Sequence, residues 1–324
     1  MGVIVKAQSL TKRYEGILAV DHIDLEVFEG EVFGLLGPNG AGKTTTIRML
    51  TGQTKPSSGT ASVANHDIIH DPIKAKQQIG VIPDISNVYE EMNAWDNLIF
   101  AAQLYSVPKT EQEKRAKELL ELFGLYERRK DRVSGFSRGM MRRLTIAAAL
   151  IHKPKLLFLD EPTTGLDVQS LRMIRNLIKE LNNDGVTVML TTHYIEEADQ
   201  LCQRVAIINK GKIVTVDNPE KLKASMEKRQ TLEVSFTASK GLEGKLRDLS
   251  CVKDVLMLGD KCKLQVDDVS ETIPSLVDFA RKNNLKIISI NTLKPSLEDA
   301  FVKLTGLSVE VMRTEKEPVK KEEE

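Results

Sequence analysis

The segment Gly37-Pro38-Asn39-Gly40-Ala41-Gly42-Lys43-Thr44 constrains this chain more than any other stretch. A GxxxxGK[ST] loop works between a strand and a helix: its glycines let successive N–H groups converge on phosphate oxygens, and the helix N-terminus adds a positive end. The flanks meet that demand. Val32 to Leu36 is a short apolar run bounded by glycines, and Thr45 to Leu50 can continue as a helix. Lys43 is then placed to reach the terminal phosphates and Thr44 to ligate magnesium, so the loop predicts an α/β core that holds a nucleotide.

The rest of the chain reads as two domains, one over 1–222 and a smaller one over 228–307, with a charged tail over 308–324. Residues 3 to 36 alternate apolar and polar with turns at Glu15-Gly16 and Glu29-Gly30, which predicts antiparallel strands leading into the loop. The period then changes. Asn93 caps a helix, and Glu111 to Phe123 puts Ala116, Leu119, Leu120 and Phe123 on one helical face, which predicts a helical subdomain over about 85–153. Met141 to Leu150 reads as its last helix. From Lys155 to Asp217 strands (Leu156–Leu159, Val186–Leu190) alternate with helices (Val168–Leu181, Ile195–Leu201) before a hairpin at Lys210-Gly211, the pattern of a mostly parallel sheet. Thr231–Ala238, a helix, Val252–Leu258, Lys263–Val266, a helix and Leu285–Ile290 follow in the order β-α-β-β-α-β, a ferredoxin-like α+β unit.

Composition narrows the function classes. Lys+Arg 46 against Asp+Glu 46 leaves no overall basic field to gather DNA or RNA. The apolar stretches are strand-length, far short of the roughly 20 residues that cross a bilayer, so a cytoplasmic protein is expected. Cys202, Cys251 and Cys262 lack metal-ligand spacing and read as packed thiols.

Leu156 to Asp160-Glu161 is an apolar strand ending in two carboxylates, and ligands sit at such strand ends in an open α/β sheet. Asp160 would face the magnesium ion, and Glu161 would orient or deprotonate a water attacking the γ-phosphate. Ser134-Gly135-Phe136-Ser137-Arg138-Gly139-Met140 resembles the signature loop of ATP-binding cassette (ABC) proteins, whose pattern is Leu-Ser-Gly-Gly-Gln. The resemblance runs in order over residues 3 to about 220: Tyr14 against adenine, Gly37 to Thr45 on the phosphates, Ile79 to Asp84 at the Q-loop, Ser137 and Gly139, Asp160-Glu161, Thr164-Gly165-Leu166-Asp167 as the D-loop, and His193 as the switch histidine. It implies a P-loop NTPase of the ABC ATPase kind, with an antiparallel β subdomain and a helical subdomain. Lys43, Glu161 and His193 would be catalytic, ATP and Mg2+ the cofactors, and a head-to-tail pair of cassettes the working state. In that pair Ser137, Arg138 and Gly139 would meet the partner's γ-phosphate, and Asp167 would shape the contact.

Two positions depart from the family pattern. Asp84 stands where glutamine is usual, a carboxylate able to ligate magnesium but not to donate. Arg138 replaces the first signature glycine, and across a head-to-tail dimer the added anion and cation would offset each other; alternatively Arg138 points to solvent. Pro295 to Phe301 followed by Leu304-Thr305-Gly306 resembles the tail of drug-resistance and sodium-exporter ATPases. That implies a motor on the inner face of the cell membrane, working through a separate integral membrane permease gripped around Ile85 to Trp95, with Val88, Tyr89, Met92 and Trp95 in an apolar groove. The competing readings are a soluble ABC ATPase in nucleic-acid or ribosome remodelling and a weakly catalytic regulatory subunit.

Overall fold

Residues 3–28 build a long hairpin interrupted by bulges, β1 (Val3–Tyr14) and β2 (Ile17–Phe28), turned at Glu15-Gly16. The computed structural model describes residues 2–224, 230–237, 241–293, 295–307 and 311–312. β3 (Val32–Leu36) leaves the hairpin's sheet, a departure from the single antiparallel set that the alternation predicts. All five of its residues are buried, and such a strand needs both faces covered, which an antiparallel sheet with one wet face does not provide. It joins β6 (Ile79–Ile82), β7 (Leu156–Asp160), β8 (Thr187–Thr192) and β9 (Arg204–Asn209) in parallel. β10 (Lys212–Asp217) turns back antiparallel, giving the order β10-β9-β3-β8-β7-β6. The first sheet is completed by β4 (Ser58–Val63) and β5 (His66–Asp67) in the order β2-β1-β4-β5.

Helix α1 (Lys43–Leu50) touches both sheets, and one core of Val5, Leu10, Met49, Leu50, Phe158 and Met189 joins them. The loop that starts α1 is therefore fixed by the core of the whole unit. α2 (Pro72–Gln77) leads to β6. α3 (Ala94–Leu104) starts at Asn93, whose side-chain oxygen accepts from the Asp96 N–H at 2.7 Å, the expected cap. α4 (Lys109–Leu122) packs on α3, and Arg115 reaches from it to the Leu150 carbonyl at the end of α5 (Arg138–Leu150). α5 begins three residues before the expected Met141, because Ser137 caps it by accepting from the Met140 N–H at 3.3 Å. Gly139 lies inside its first turn, where helix propensity alone would not put it. α6 (Val168–Asn183), α7 (Ile195–Leu201) and α8 (Pro219–Ala224) complete the run.

His152, just past α5, lies flat on Tyr105 at 3.8 Å and donates from Nε2 to the Ile79 carbonyl at 2.9 Å. Its Nδ1 is buried and unpartnered, and burial brings the imidazole down to about 4. An unfolded histidine takes up its proton near 6.5, so this group's contribution is full above that value and is lost as pH falls toward 4. In His152→Gln, which keeps the donor, urea unfolding at pH 7.5 and pH 4.5 is expected to show a stability loss smaller than wild type by on the order of 1 kcal/mol, after allowance for partial exposure.

The chain divides into Met1–Pro219 and Glu220–Leu307. In the second unit β11 (Gln230–Phe236), α9 (Leu242–Arg247), β12 (Val252–Leu258), β13 (Lys261–Val266), α10 (Val269–Lys282) and β14 (Ile287–Leu293) appear in the ferredoxin-like order. The sheet is antiparallel, β12-β13-β11-β14, around a core of Leu232, Val234, Leu264, Leu276 and Phe279. The last strand starts two residues later than the expected Leu285. α11 (Leu297–Thr305) opens with a capping box between Ser296 and Asp299 and buries Leu297, Ala300 and Phe301. Ala238 and residues 308–310 and 313–324 of the expected tail lie outside the described residues.

Candidate nucleotide site

Two glycines of the phosphate loop are fixed by contact. A Cβ on Gly37 would strike the Ile208 carbonyl oxygen, and one on Gly42, at φ +107, would lie 2.5 Å from the Ala19 oxygen. Backbone from β9 and β2 thus presses the loop from behind and sets its curvature. Lys43, only 5% exposed, donates to the carbonyls of Gly37 at 2.8 Å and Pro38 at 3.1 Å. A cavity of about 280 Å3 opens before the loop, lined by Tyr14, Ala19, Asn39, Gly40, Gly42, Lys43, Thr44, Thr45 and Glu161. Residues expected to hold adenine, phosphates and the attacking water thereby share one space; Ala19 carried no sequence signal. Gly37, Pro38 and Ala41 form the loop's inner side.

Glu161 is the centre of the cluster. Its Oε1 lies 3.1 Å from Lys43 Nζ, and its Oε2 accepts from His193 Nδ1 at 2.7 Å and from Thr164 Oγ1 at 3.2 Å. Burial opposes ionisation of this carboxyl, but the His193 hydrogen bond and the Lys43 charge prevail and hold it below the usual carboxylate range. Because an ionised carboxylate only accepts, the proton of His193 sits on Nδ1. Glu161 has φ +49, a costly conformation for a bulky residue, and its N–H is held by the Thr191 oxygens.

Asp160 is buried at the end of β7. Its Oδ1 accepts from Thr44 Oγ1 at 3.2 Å and from Thr191 Oγ1 at 2.5 Å. A hydroxyl and a carboxylate at a helix N-terminus are hard oxygen donors of the kind magnesium takes. Asp84 is exposed in the loop after β6, with its carbonyl turned toward Arg142.

The remaining expected residues serve local structure within the single chain. Ser137 caps α5. Arg138 and Gly139 occupy its first turn, and a Cβ on Gly139 would meet Ser170 Oγ. Asp167 caps α6, accepting from Ser170 N at 2.9 Å and Ser170 Oγ at 2.8 Å, and those bonds keep its carboxylate below the ordinary range. Two buried groups escaped sequence reasoning. Arg142, 4% exposed, is brought down to about 10 by burial. Glu197 accepts from Thr163 Oγ1 at 2.8 Å, and burial pushes its carboxyl up. Neither is legible without the fold, since a charged residue on an amphipathic helix normally faces water.

A larger cavity, about 540 Å3, lies between the end of α1, α2, β6 and the end of α3. Ile73, Val81, Leu104 and Tyr105 give it apolar walls and Lys76 a positive rim, while Ile73 and Leu104 are 73% and 66% exposed. Val88 and Tyr89 line a smaller neighbouring cavity of about 170 Å3. Met92 and Trp95 line neither and are half-buried, while Ile85 and Tyr89 of the same segment are 82% and 53% exposed.

Fold and site together define a class, the ATP-hydrolysing cassettes of ABC transporters. Residues 20–164 match the family model described as ABC transporter, and residues 218–305 match that of the ATP-binding protein DrrA1-3-like, C-terminal domain. The chain is 37% identical to the linearmycin resistance ATP-binding protein LnrL of Bacillus subtilis, over 94% of this chain and 98% of that protein. It is 36% identical to the daunorubicin/doxorubicin resistance ATP-binding protein DrrA of Streptomyces peucetius, over 96% and 95%. A dimeric ATP-binding cassette in a post-hydrolysis state, bound to ADP and Pi, superposes with a TM-score of 0.61 at 27% identity, covering 66% of this chain and 98% of that one. The chain belongs to the ABC transporter family, as an ATP-binding subunit of the DrrA exporter type with the C-terminal domain of that group. It is an ATPase.

Proposed function

We propose that this chain is the motor of an exporter, coupling ATP hydrolysis in a head-to-tail pair of cassettes to movement of cargo through a separate membrane permease. The observation that carries the catalytic part is the Glu161 carboxylate held between Lys43 and His193 at the phosphate loop. Adenine stacks on Tyr14, the α- and β-phosphates take the loop N–H groups, and Lys43 turns from Glu161 to the γ-phosphate. Thr44 and Asp160, with Asp84 from the neighbouring loop, would hold a magnesium ion, which when bound would offset the charge of the phosphates. Glu161 then accepts the proton of the attacking water while His193 fixes the carboxylate's orientation.

Each chain supplies half of a site in this reading. Ser137, Arg138 and Gly139, at the positive N-terminus of α5, complement the γ-phosphate bound by the other cassette, and Asp167 shapes the contact between them. Asp84 and Arg138 meet at one nucleotide from opposite subunits and offset each other. Export as the direction is supported by the relatives named for antibiotic resistance.

No helix among the described residues is long and apolar enough to cross a membrane, so the spans come from the permease and this chain sits on the membrane's inner face. The groove of about 540 Å3 is where the permease docks, with Ile73, Leu104 and Tyr105 burying an apolar segment beside Lys76. Leu104→Asp is expected to reduce permease co-purification at least about tenfold with ATP binding retained, since it puts a charge on an apolar contact. Trp95→Ala, outside the groove, is expected to leave co-purification intact. The motor reading itself is tested by vesicles holding both subunits: ATP-driven cargo accumulation supports it, and ATP turnover with no associated membrane protein counts against it.

A further inference from the structure

The guanidinium of Arg142 uses all five of its N–H groups, and every acceptor is a main-chain carbonyl. Nε donates to Pro162 at 3.1 Å, and Nη2 donates to Asp160 at 3.1 Å and Glu161 at 3.3 Å. Nη1 donates to Pro83 and, at 3.4 Å, to Asp84. These carbonyls come from the ends of neighbouring parallel strands, β6 and β7, and the residues just after them; the last pair of those strands is Ile82 with Leu159. The side chain that joins them comes from a third element, α5, five residues past its cap Ser137.

The carbonyls flanking and including that of Glu161 are therefore held from one side by a helix that also carries the signature residues. Glu161 itself sits at φ +49, a conformation that persists only where its surroundings impose it. We propose that Arg142 is a positioning residue for hydrolysis: its guanidinium keeps the Glu161 turn in its strained form and makes that form depend on where the loop after β6 and helix α5 stand. The inference rests on Glu161 acting as the base. A movement of the loop after β6, or of α5, then withdraws donors from the Glu161 turn without touching the phosphate loop. Lysine cannot replace this arrangement, because a three-donor point charge does not supply the five donors that these carbonyls take.

The test uses the full-length chain with Arg142→Lys, Arg142→Gln and Glu161→Gln, alone and combined. For R142K and R142Q, kcat for ATP is expected to fall at least about tenfold while KM and the affinity for a non-hydrolysable ATP analogue stay within about threefold. Adding R142K to a Glu161→Gln chain is expected to cost nothing further, since Arg142 acts through that carboxylate. Losses that add in the combined chain, a parallel loss of nucleotide affinity, an unchanged kcat, or a variant that no longer folds would each overturn the proposal. Wild-type chain that fails to turn over ATP would instead refute the motor reading, so the two failures are distinct.

Discussion

Glu161→Gln is expected to lower ATP turnover by about 100-fold or more while ATP still binds. Transfer of a proton to a positioned base contributes about 10²–10⁴ in rate, and an amide of the same shape cannot accept that proton. Binding survives because the loop N–H groups and Lys43 remain. It is expected to tighten, because Lys43 Nζ, now 3.1 Å from a carboxylate oxygen, would face a neutral group and turn to phosphate at smaller cost. Steady-state turnover and titration with a fluorescent ATP analogue measure the two effects separately. A variant retaining a tenth of wild-type turnover would reassign the base.

Lys43→Ala is expected to fail at the earlier step. It removes the buried cation of the cavity and leaves the Glu161 carboxylate with His193 but without its charge partner, in a place where burial already opposes ionisation. Stranding a buried charge in this way typically costs about 3–5 kcal/mol, so the empty chain should melt earlier as well as lose ATP. We expect ATP affinity down by about 100-fold or more, with turnover undetectable at millimolar ATP. Thermal melting with and without nucleotide reads both consequences. Lys43→Arg would show whether charge alone suffices: the planar fork does not fit between the Gly37 and Pro38 carbonyls, so little recovery is expected.

The parts of this site legible in the sequence were those where chemistry dictates residue type locally. Gly37 and Gly42 had to be glycine, Lys43 and Thr44 follow at fixed offsets, and an apolar strand ending in Asp160-Glu161 announces itself. The order of the ferredoxin-like unit was legible because β11 and β13 alternate apolar and polar residues between turn signals. What the sequence hid depends on contacts made at long range. Nothing near Val32 to Leu36 distinguishes a strand that crosses to a second sheet from one that stays. The start of α5 was masked by Gly139, a weak helix former placed where the helix abuts Ser170. Arg142 was hidden most completely, since its five acceptors lie at positions 83–84 and 160–162 and carry no side-chain signature at all. Tyr89 and Trp95 look alike as aromatic residues near a loop, and only packing leaves the first exposed and the second half-buried.

The ion pair of Lys43 with Glu161 bears on which anions the phosphate loop would accept. A bare lysine at the mouth of a phosphate loop would collect chloride, inorganic phosphate and monophosphates, all abundant in a cell. Here any anion must first separate two opposite charges 3.1 Å apart. A small ion would bring few contacts to do so, whereas in the proposed reading a nucleoside triphosphate would also meet the loop amides and Tyr14, which line the same cavity. On the proposed reading we expect this chain alone to take a nucleoside triphosphate in preference to inorganic phosphate, a comparison that equilibrium titration would make.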